Sequence, residues 1–84
     1  MSEGQRRILD IIADLPGRTV STSVMDTAVL WRSGLPEEKI CNYLGQLGGL
    51  GYITIDIKVA GAYFRLINMT KEGLQASSEN QALR

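Results

Sequence analysis

The sequence predicts a small α+β protein, in which helices pack beside a short antiparallel sheet. Ile40, Leu44 and Leu47 recur at helical spacing, so one face of a helix there would be buried. Strict alternation of apolar and polar residues follows over 52–57 and is typical of a strand. A turn at residues 60–61 would then send the chain back as a second, antiparallel strand.

A first helix is predicted over residues 3–15, because apolar residues fall on one helical stripe there. The stripe consists of Ile8, Leu9, Ile12 and Leu15. Pro16 would end this helix, since proline cannot continue the hydrogen-bond ladder. Residues 18–20 are expected to form a short extended segment that could pair with the later strands.

A second helix is predicted to begin after Ser23, which could cap it together with Asp26 three residues later. It would end near residue 33. Gly34 then suits the left-handed position of a turn, and a third helix is predicted over about 36–50.

The two strands after the third helix are expected to form a ribbon with a two-residue turn. The expected cross-strand pairs are Val59 with Ala62, Ile57 with Phe64, Asp56 with Arg65 and Ile55 with Leu66. Asp56 and Arg65 would form an ion pair in this register. The core face would consist of Ile53, Ile55, Ile57, Val59, Phe64 and Leu66. Thr70 would cap a last, short helix that fades over residues 77–80.

The other face of the ribbon would present Tyr63, Ile67 and Met69. Either the first or the last helix covers these side chains, or they form an exposed apolar patch of the kind that marks a protein interface. Trp31 is interpreted as a core anchor or, alternatively, as a strong interface contact. The 84 residues are expected to form one domain, 1–84, with an ordered core of about 4–78. Such a small core gains from pairing with a second copy, so a homodimer is expected.

The composition argues against several functional classes. Nine basic and nine acidic residues cancel, so no overall field attracts nucleic acid or an anionic membrane. The absence of histidine removes the commonest nucleophile pairs and the commonest transition-metal ligand. No glycine-rich phosphate loop follows a strand in the pattern. We therefore expect no enzyme activity, no metal, no cofactor and no small-molecule ligand.

Cys41 is the single cysteine, which excludes an internal disulfide. We interpret it as a small buried side chain, with redox sensing as the alternative. The longest apolar runs are far shorter than a membrane span, and the first residues do not contain the apolar region of a signal peptide. A cytoplasmic location is therefore expected.

Residues 40–53 resemble the recognition helix and first wing strand of winged helix-turn-helix regulators. The arsenic-responsive and multiple-antibiotic-resistance regulators are the nearest groups. Their pattern of two leucines, a glycine and an aromatic-aliphatic pair is matched by Leu44, Leu47, Gly51, Tyr52 and Ile53. Residues 69–74 are similar to the segment by which these proteins leave the wing. The resemblance covers residues 6–74 and implies a three-helix core, a two- or three-stranded wing, a short C-terminal helix and DNA-binding transcription regulation.

The outer face of the third helix carries the candidates for contacts to DNA bases. They are Lys39, Asn42, Tyr43 and Gln46. Asn42 and Gln46 could each bind adenine through two hydrogen bonds, and Lys39 could reach guanine or a phosphate. Tyr43 could touch a phosphate or a thymine methyl group. An ordinary solvated helix face is the alternative interpretation.

The candidates for contacts to the DNA backbone are Arg18, Arg32, Lys58 and Arg65. Few cations would remain free, so a monomer would bind weakly, whereas a two-fold dimer would read a pseudo-palindrome. The expected function is a small transcription regulator that reads the major groove with the helix at about 36–50. A winged-helix module for protein interaction, without nucleic-acid binding, is the alternative. The neutral charge and a wing tip at 59–62 that contains no lysine or arginine favour this alternative.

Overall fold

The computed structural model describes residues 1–60 and 62–82, except for the side chains of residues 58–60 and 62–64. The elements are α1 (Glu3–Asp14), β1 (Val24–Met25), α2 (Asp26–Ser33), α3 (Glu37–Gly49), β2 (Ile53–Ala60), β3 (Ala62–Met69) and α4 (Lys71–Ala82). The described chain contains four helices and one antiparallel sheet of three strands in the order β1-β3-β2. The predicted α+β class is confirmed.

α1 begins at a capping box, in which a serine and a glutamine satisfy each other's backbone groups. The backbone N–H of Gln5 donates to Ser2 Oγ at 3.2 Å, and the backbone N–H of Ser2 donates to Gln5 Oε1 at 3.0 Å. The predicted stripe is buried as far as Ile12. Leu15 follows the helix as its C-cap and is 40% exposed, so it does not belong to the core.

The short strand lies later in the chain than residues 18–20, where it was expected. β1 is Val24–Met25 and pairs antiparallel with β3. Arg18 adopts a left-handed conformation with φ of 60°, and its backbone N–H donates to the carbonyl of Ala13 at 2.7 Å. This turn closes α1, which is why residues 18–20 do not form the strand.

α2 begins at Asp26 with Met25 as its N-cap, so the predicted cap at Ser23 is wrong. Ser23 precedes β1, and its hydroxyl donates instead to the Asn68 side chain on β3. Gly34 ends α2 in the left-handed conformation, with φ of 69°, as predicted.

Trp31 lies on the outer side of α2 and is 88% exposed. The interpretation of Trp31 as a core anchor is therefore wrong. The core contribution of α2 comes from Val29, which is fully buried, with Ala28 and Leu30 packed at the edge of the core. The core therefore holds α2 without the indole of Trp31.

The predicted register of the ribbon is wrong by one residue. The observed pairs include Ala60 with Ala62, Ile57 with Arg65, Ile55 with Ile67 and Ile53 with Met69. Because Ala60 rather than Val59 pairs with Ala62, every residue of β3 shifts to a new partner. Gly61, the second residue of the predicted turn, lies outside the described residues.

A shift of one residue exchanges the two faces of a strand. Ile67 and Met69, expected on the outer face, are therefore buried beside Ile53. Leu66, expected in the core, is half-buried. Ile57 shares the face of Ile53 but is 58% exposed, so the core does not extend that far along β2. The predictions for the side chains of Val59, Phe64 and Tyr63 fall outside the described residues.

The same shift removes the predicted ion pair between Asp56 and Arg65, which now lie on opposite faces. Asp56 Oδ2 accepts a hydrogen bond from Nδ2 of Asn68 at 3.2 Å. Arg65 Nη1 lies 3.6 Å from Oδ2 of Asp26 at the start of α2. Arg65 thus connects β3 to α2.

Thr70 caps α4 as predicted, because its Oγ1 accepts a hydrogen bond from the backbone N–H of Gly73 at 3.0 Å. The same hydroxyl donates to the carbonyl of Gly51 at 2.7 Å. Gly51 ends α3 with a left-handed φ of 79°. α4 continues to Ala82, past the predicted fade over 77–80.

A polar network joins α4 to α1. Ser77 is fully buried, and its hydroxyl donates to Oδ1 of Asp10 at 2.6 Å. Oγ of Ser77 also accepts a hydrogen bond from Nη2 of Arg18 at 2.8 Å, and Arg18 forms an ion pair with Asp14. A buried carboxylate needs donors of this kind, because burying a charge without partners is costly.

Replacing the bridging hydroxyl should therefore destabilise the fold. We expect Ser77→Ala to lower the free energy of unfolding by about 1–3 kcal/mol, because Asp10 loses a donor in a buried position. Urea denaturation followed by circular dichroism measures this change. Ser78→Ala is the matched control, since Ser78 is exposed on the same helix and its loss should change stability by less than about 0.5 kcal/mol. Equal effects of the two changes would contradict the assigned role of Ser77.

Candidate nucleic-acid interface

α3 is anchored along one side, as its apolar spacing predicts. Ile40 and Leu44 are each 2% exposed, and Leu47 is fully buried. These side chains contribute to the core shared with α1 and the sheet. The anchored side fixes the rotation of the helix about its axis, so the residues that face solvent are defined.

Lys39 and Asn42 lie on the exposed side of α3. Their positions, one residue before and two residues after Ile40, place them away from the buried stripe in a helix of 3.6 residues per turn. An amide and an ammonium group are therefore open to a molecule that approaches α3 from solvent. Both residues lie where the sequence predicts them.

Tyr43 was expected to face solvent, but it does not. It is half-buried and packs on the core, and its ring lies so close to Gly4 of α1 that a Cβ at Gly4 would fall 2.8 Å from the ring carbon Cε1. The difference arises because position 43 lies on the flank of the buried stripe, next to Leu44. Tyr43 is therefore a packing residue between α3 and α1.

Gln46 is exposed, but α1 contacts it as it contacts Tyr43. Its Oε1 accepts a hydrogen bond from Nε2 of Gln5 at 2.7 Å. Gln5 is also the residue of the capping box at the start of α1. The amide nitrogen of Gln46 takes no part in this bond. Its N–H groups can therefore donate to another molecule while Oε1 stays bound to Gln5.

Three glycines, Gly45, Gly48 and Gly49, occupy the last turns of α3, where all three are exposed. A Cβ added at any of them would meet no atom of the described residues within 4 Å. Packing within the described chain therefore does not require glycine at these positions. Glycine in a helix costs about 0.5–1 kcal/mol relative to alanine, so this stretch of α3 is less stable than it could be.

Three of the four candidate backbone contacts have described side chains, and these have different surroundings. Arg18 is bound at the junction of α1 and α4, because Asp14 and Ser77 hold its guanidinium. Arg32 is exposed at the end of α2 and lines a cleft against α1. The side chain of Lys58 lies outside the described residues.

Arg65, the fourth candidate, lies where β3 meets α2 and α3. Besides Asp26, its Nη1 contacts Sγ of Cys41 on α3 at 3.5 Å. Cys41 is half-buried, in partial agreement with its interpretation as a small filler. Redox sensing by Cys41 stays a prediction.

The first turns of α2 and α3 carry acidic residues. Asp26 lies at the start of α2, and Glu37 and Glu38 lie at the start of α3. Carboxylates at these positions favour the helices, because they complement the partial positive charge of a helix N-terminus. They also reduce the attraction of these two helix ends for phosphate.

Sequence reasoning missed the contact between Gln5 and Gln46. The pattern Ser2-x-x-Gln5 is a capping-box signature, so the start of α1 could have been predicted from it. The second bond, from Gln5 to α3, depends on how two helices that are distant in sequence pack. No local signal predicts such a contact.

No protein-family model matches the chain, and no curated protein matches it. Within residues 1–60 and 62–82, no helix is long and apolar enough to cross a membrane. The same described residues contain no cluster of three or more acidic or cysteine side chains that could hold a metal ion.

The open space around the glycines of α3 leads to a stability prediction. Gly48→Ala should raise the free energy of unfolding by about 0.5–1 kcal/mol, because alanine restricts the unfolded chain and favours the helix. Thermal and urea denaturation measure the change. Gly73→Ala is the contrasting variant, since its Cβ would overlap the carbonyl of Tyr52 and lie 2.7 Å from Sδ of Met69. A loss of stability in Gly48→Ala would show that residue 48 has a packing role.

Proposed function

We propose that this chain is a winged-helix DNA-binding protein, a cytoplasmic transcription regulator that inserts α3 into the major groove. The observation that carries the proposal is the outer side of α3, which is open at Lys39 and Asn42 while the opposite side is anchored in the core. The major groove is wide enough to admit an α-helix, and its base edges offer donors and acceptors to such side chains.

The elements around α3 support this proposal. α2 and α3 are joined by the three residues from Gly34 to Pro36, a connection of the length found in helix-turn-helix units. β2 and β3 follow α3 as a two-stranded ribbon, which corresponds to the wing. In this arrangement the second of the two helices is the one that reads bases.

The placement of the side chains refines the set of base contacts. Asn42 is the strongest candidate, because it is exposed and its amide can bind adenine through two hydrogen bonds. Lys39 can reach guanine or a phosphate from the preceding turn. Gln46 can contribute a base contact once its hydrogen bond with Gln5 is replaced by one to the base. Tyr43 is removed from the set because it packs on α1.

The glycines of α3 fit the same proposal. The DNA backbone or a base edge can approach the helix axis more closely where no Cβ projects. Gly45 and Gly49 are exposed on the same side of α3 as Asn42, so their lack of side chains leaves room beside it.

Phosphate contacts are few in this proposal, so binding should be weak and strongly dependent on salt. Arg32, Lys58 and Lys39 are the cations that we assign to the DNA backbone, and Arg18 is withdrawn because it is bound between α1 and α4. Non-specific binding by such a chain should have a Kd of about 10⁻⁴–10⁻⁶ M at physiological salt.

Titration of a labelled random-sequence duplex with the full chain tests the proposal. Fluorescence anisotropy at several salt concentrations should give a log Kd that rises with log salt, with a slope of about 2.7 for three neutralised phosphates per chain. The slope follows from the release of counterions by each contact. Absence of binding at the lowest salt concentration would contradict the proposal.

A single substitution tests the assignment of the groove helix. We expect Asn42→Ala to reduce the preference for one base by about 1–3 kcal/mol on a duplex selected from a random pool, because two hydrogen bonds to adenine are lost. Competition binding against duplexes changed at each position measures this preference.

Gln81→Ala is the matched control for Asn42→Ala, since Gln81 is an exposed amide on α4. It should leave the preference unchanged, and neither variant should change the free energy of unfolding appreciably. An Asn42→Ala profile that matches the wild type at every position would remove α3 from the groove.

A winged-helix module for protein interaction is the second candidate. The acidic first turns of α2 and α3 favour it, because Asp26, Glu37 and Glu38 oppose phosphate at the helix ends that would lie nearest to DNA. The salt titration separates the two functions, since an interaction module would not bind a random duplex at low salt.

A further inference from the structure

A groove beside Trp31 is an apolar feature of the described surface that the proposed function does not use. Trp31 is 88% exposed, and Met25 and Leu15 beside it are 44% and 40% exposed. Pro16, Val24 and Ala28 complete the apolar lining of a groove of about 460 Å³, which we call the Trp31 groove. Its remaining lining residues are Thr22, Ser23 and Thr27.

Exposure of this kind is unusual for a tryptophan. A large aromatic side chain covers about 150–250 Å², so Trp31 alone leaves on the order of 200 Å² of mostly apolar surface in water. Tryptophan is also the residue type most enriched among the strongest contacts of protein interfaces. The core does not use Trp31, and the hydrogen bonds of the described residues do not hold it.

We infer that the Trp31 groove is the contact surface of a two-fold homodimer, in which the indole of each copy enters the groove of the other. This inference goes beyond the proposed function, because it assigns a partner to a surface away from α3. A two-fold contact requires one surface to carry both the projecting part and the receiving part. The Trp31 groove meets this requirement, since Trp31 forms one wall of the depression and also projects beyond it.

The amount of apolar surface fits such a dimer. Trp31, Met25 and Leu15 together expose on the order of 350 Å², a patch of the size that is often functional on a monomer. Each side of a standard interface buries about 800 Å², of which about 57% is apolar, or roughly 450 Å². The three side chains and the smaller lining residues supply most of this apolar share.

The charges beside the groove also fit a second copy. Leu15 is shared with a neighbouring cleft of about 410 Å³ that contains the exposed Arg32 and the carboxylate of Asp14. A surface that carries both signs of charge does not repel a second copy of itself. The chain as a whole has nine basic and nine acidic residues, so two copies do not repel each other.

The dimer would leave the proposed DNA-binding surface open. Among the described residues, none that belongs to α3, β2 or β3 lines the Trp31 groove. Both copies could therefore present α3 at the same time. This geometry would provide two half-sites and would double the phosphate contacts of one chain.

Sedimentation equilibrium of the full chain across a range from micromolar to millimolar tests the inference. We expect a reversible equilibrium between monomer and dimer. Trp31 is the single tryptophan, so its fluorescence reports on this surface alone. On dilution, its emission should shift to longer wavelength in parallel with the dissociation of the dimer, because the indole returns to water.

Two variants and a control identify the surface. Trp31→Ser should raise the dimer Kd at least about thirtyfold, as expected for a strong interface contact. Met25→Thr should raise it severalfold while keeping Trp31 as the fluorescent reporter. Ile57→Thr is the matched control, since Ile57 is 58% exposed on β2, outside the groove, and its change should leave the Kd unaltered.

Either of two results would overturn the inference. A wild-type chain that stays monomeric at millimolar concentration would leave the groove to a different protein. A dimer that Trp31→Ser and Met25→Thr do not weaken would place the contact elsewhere. Circular dichroism of each variant verifies the fold, and Met25→Thr decides the question if Trp31→Ser does not fold.

The outcome is separable from that of the DNA titration. Trp31→Ser should still bind a random duplex, with about half the salt slope per assembly, because half of the phosphate contacts remain. A wild-type dimer that binds no duplex would refute the proposed function alone. A monomer that binds duplex would refute the dimer alone.

Discussion

The structure depends on the register between β2 and β3. The pairing of Ile53 with Met69 and of Ile55 with Ile67 sets which side of the ribbon faces the helices. A shift by one residue would bring Ile67 and Met69 out of the core, because side chains alternate between the faces of a strand. The register also brings Arg65 to the side where α2 and α3 lie. The sheet therefore fixes both the core and the surroundings of the candidate site.

α3 is more enclosed than its sequence indicates. On one flank, Tyr43 and Gln46 meet α1, and on the other, Cys41 meets Arg65 of β3. Between these flanks, an exposed strip of α3 contains Asn42, Gly45 and Gly49. A ligand can approach α3 along this strip. The strip is polar and lacks bulky side chains, so it suits the edge of a flat, polar partner better than an apolar one.

The part of the fold that depends on local pattern could be predicted from the sequence, and the part that depends on distant contacts could not. The stripes of α1 and α3, the glycine that ends α3 and the cap at Thr70 follow from residues close together in the chain. The register of β2 and β3 was predicted wrongly because it depends on the length of the turn between them, which the sequence leaves open. The prediction that Trp31 lies in the core was wrong, because the sequence of a short helix does not indicate which element an apolar side chain contacts. Asn42 was placed correctly because its position relative to Ile40 and Leu44 decides its direction.

The hydroxyl of Thr70 has a mechanical consequence. One oxygen atom bonds to the carbonyl of Gly51 at the end of α3 and to the N–H of Gly73 in α4. β2 begins and β3 ends beside this point, so the oxygen ties the base of the ribbon to both helices. A pull on α4 would be transmitted to the C-terminal end of α3 through this oxygen, by a route that does not pass through the apolar interior.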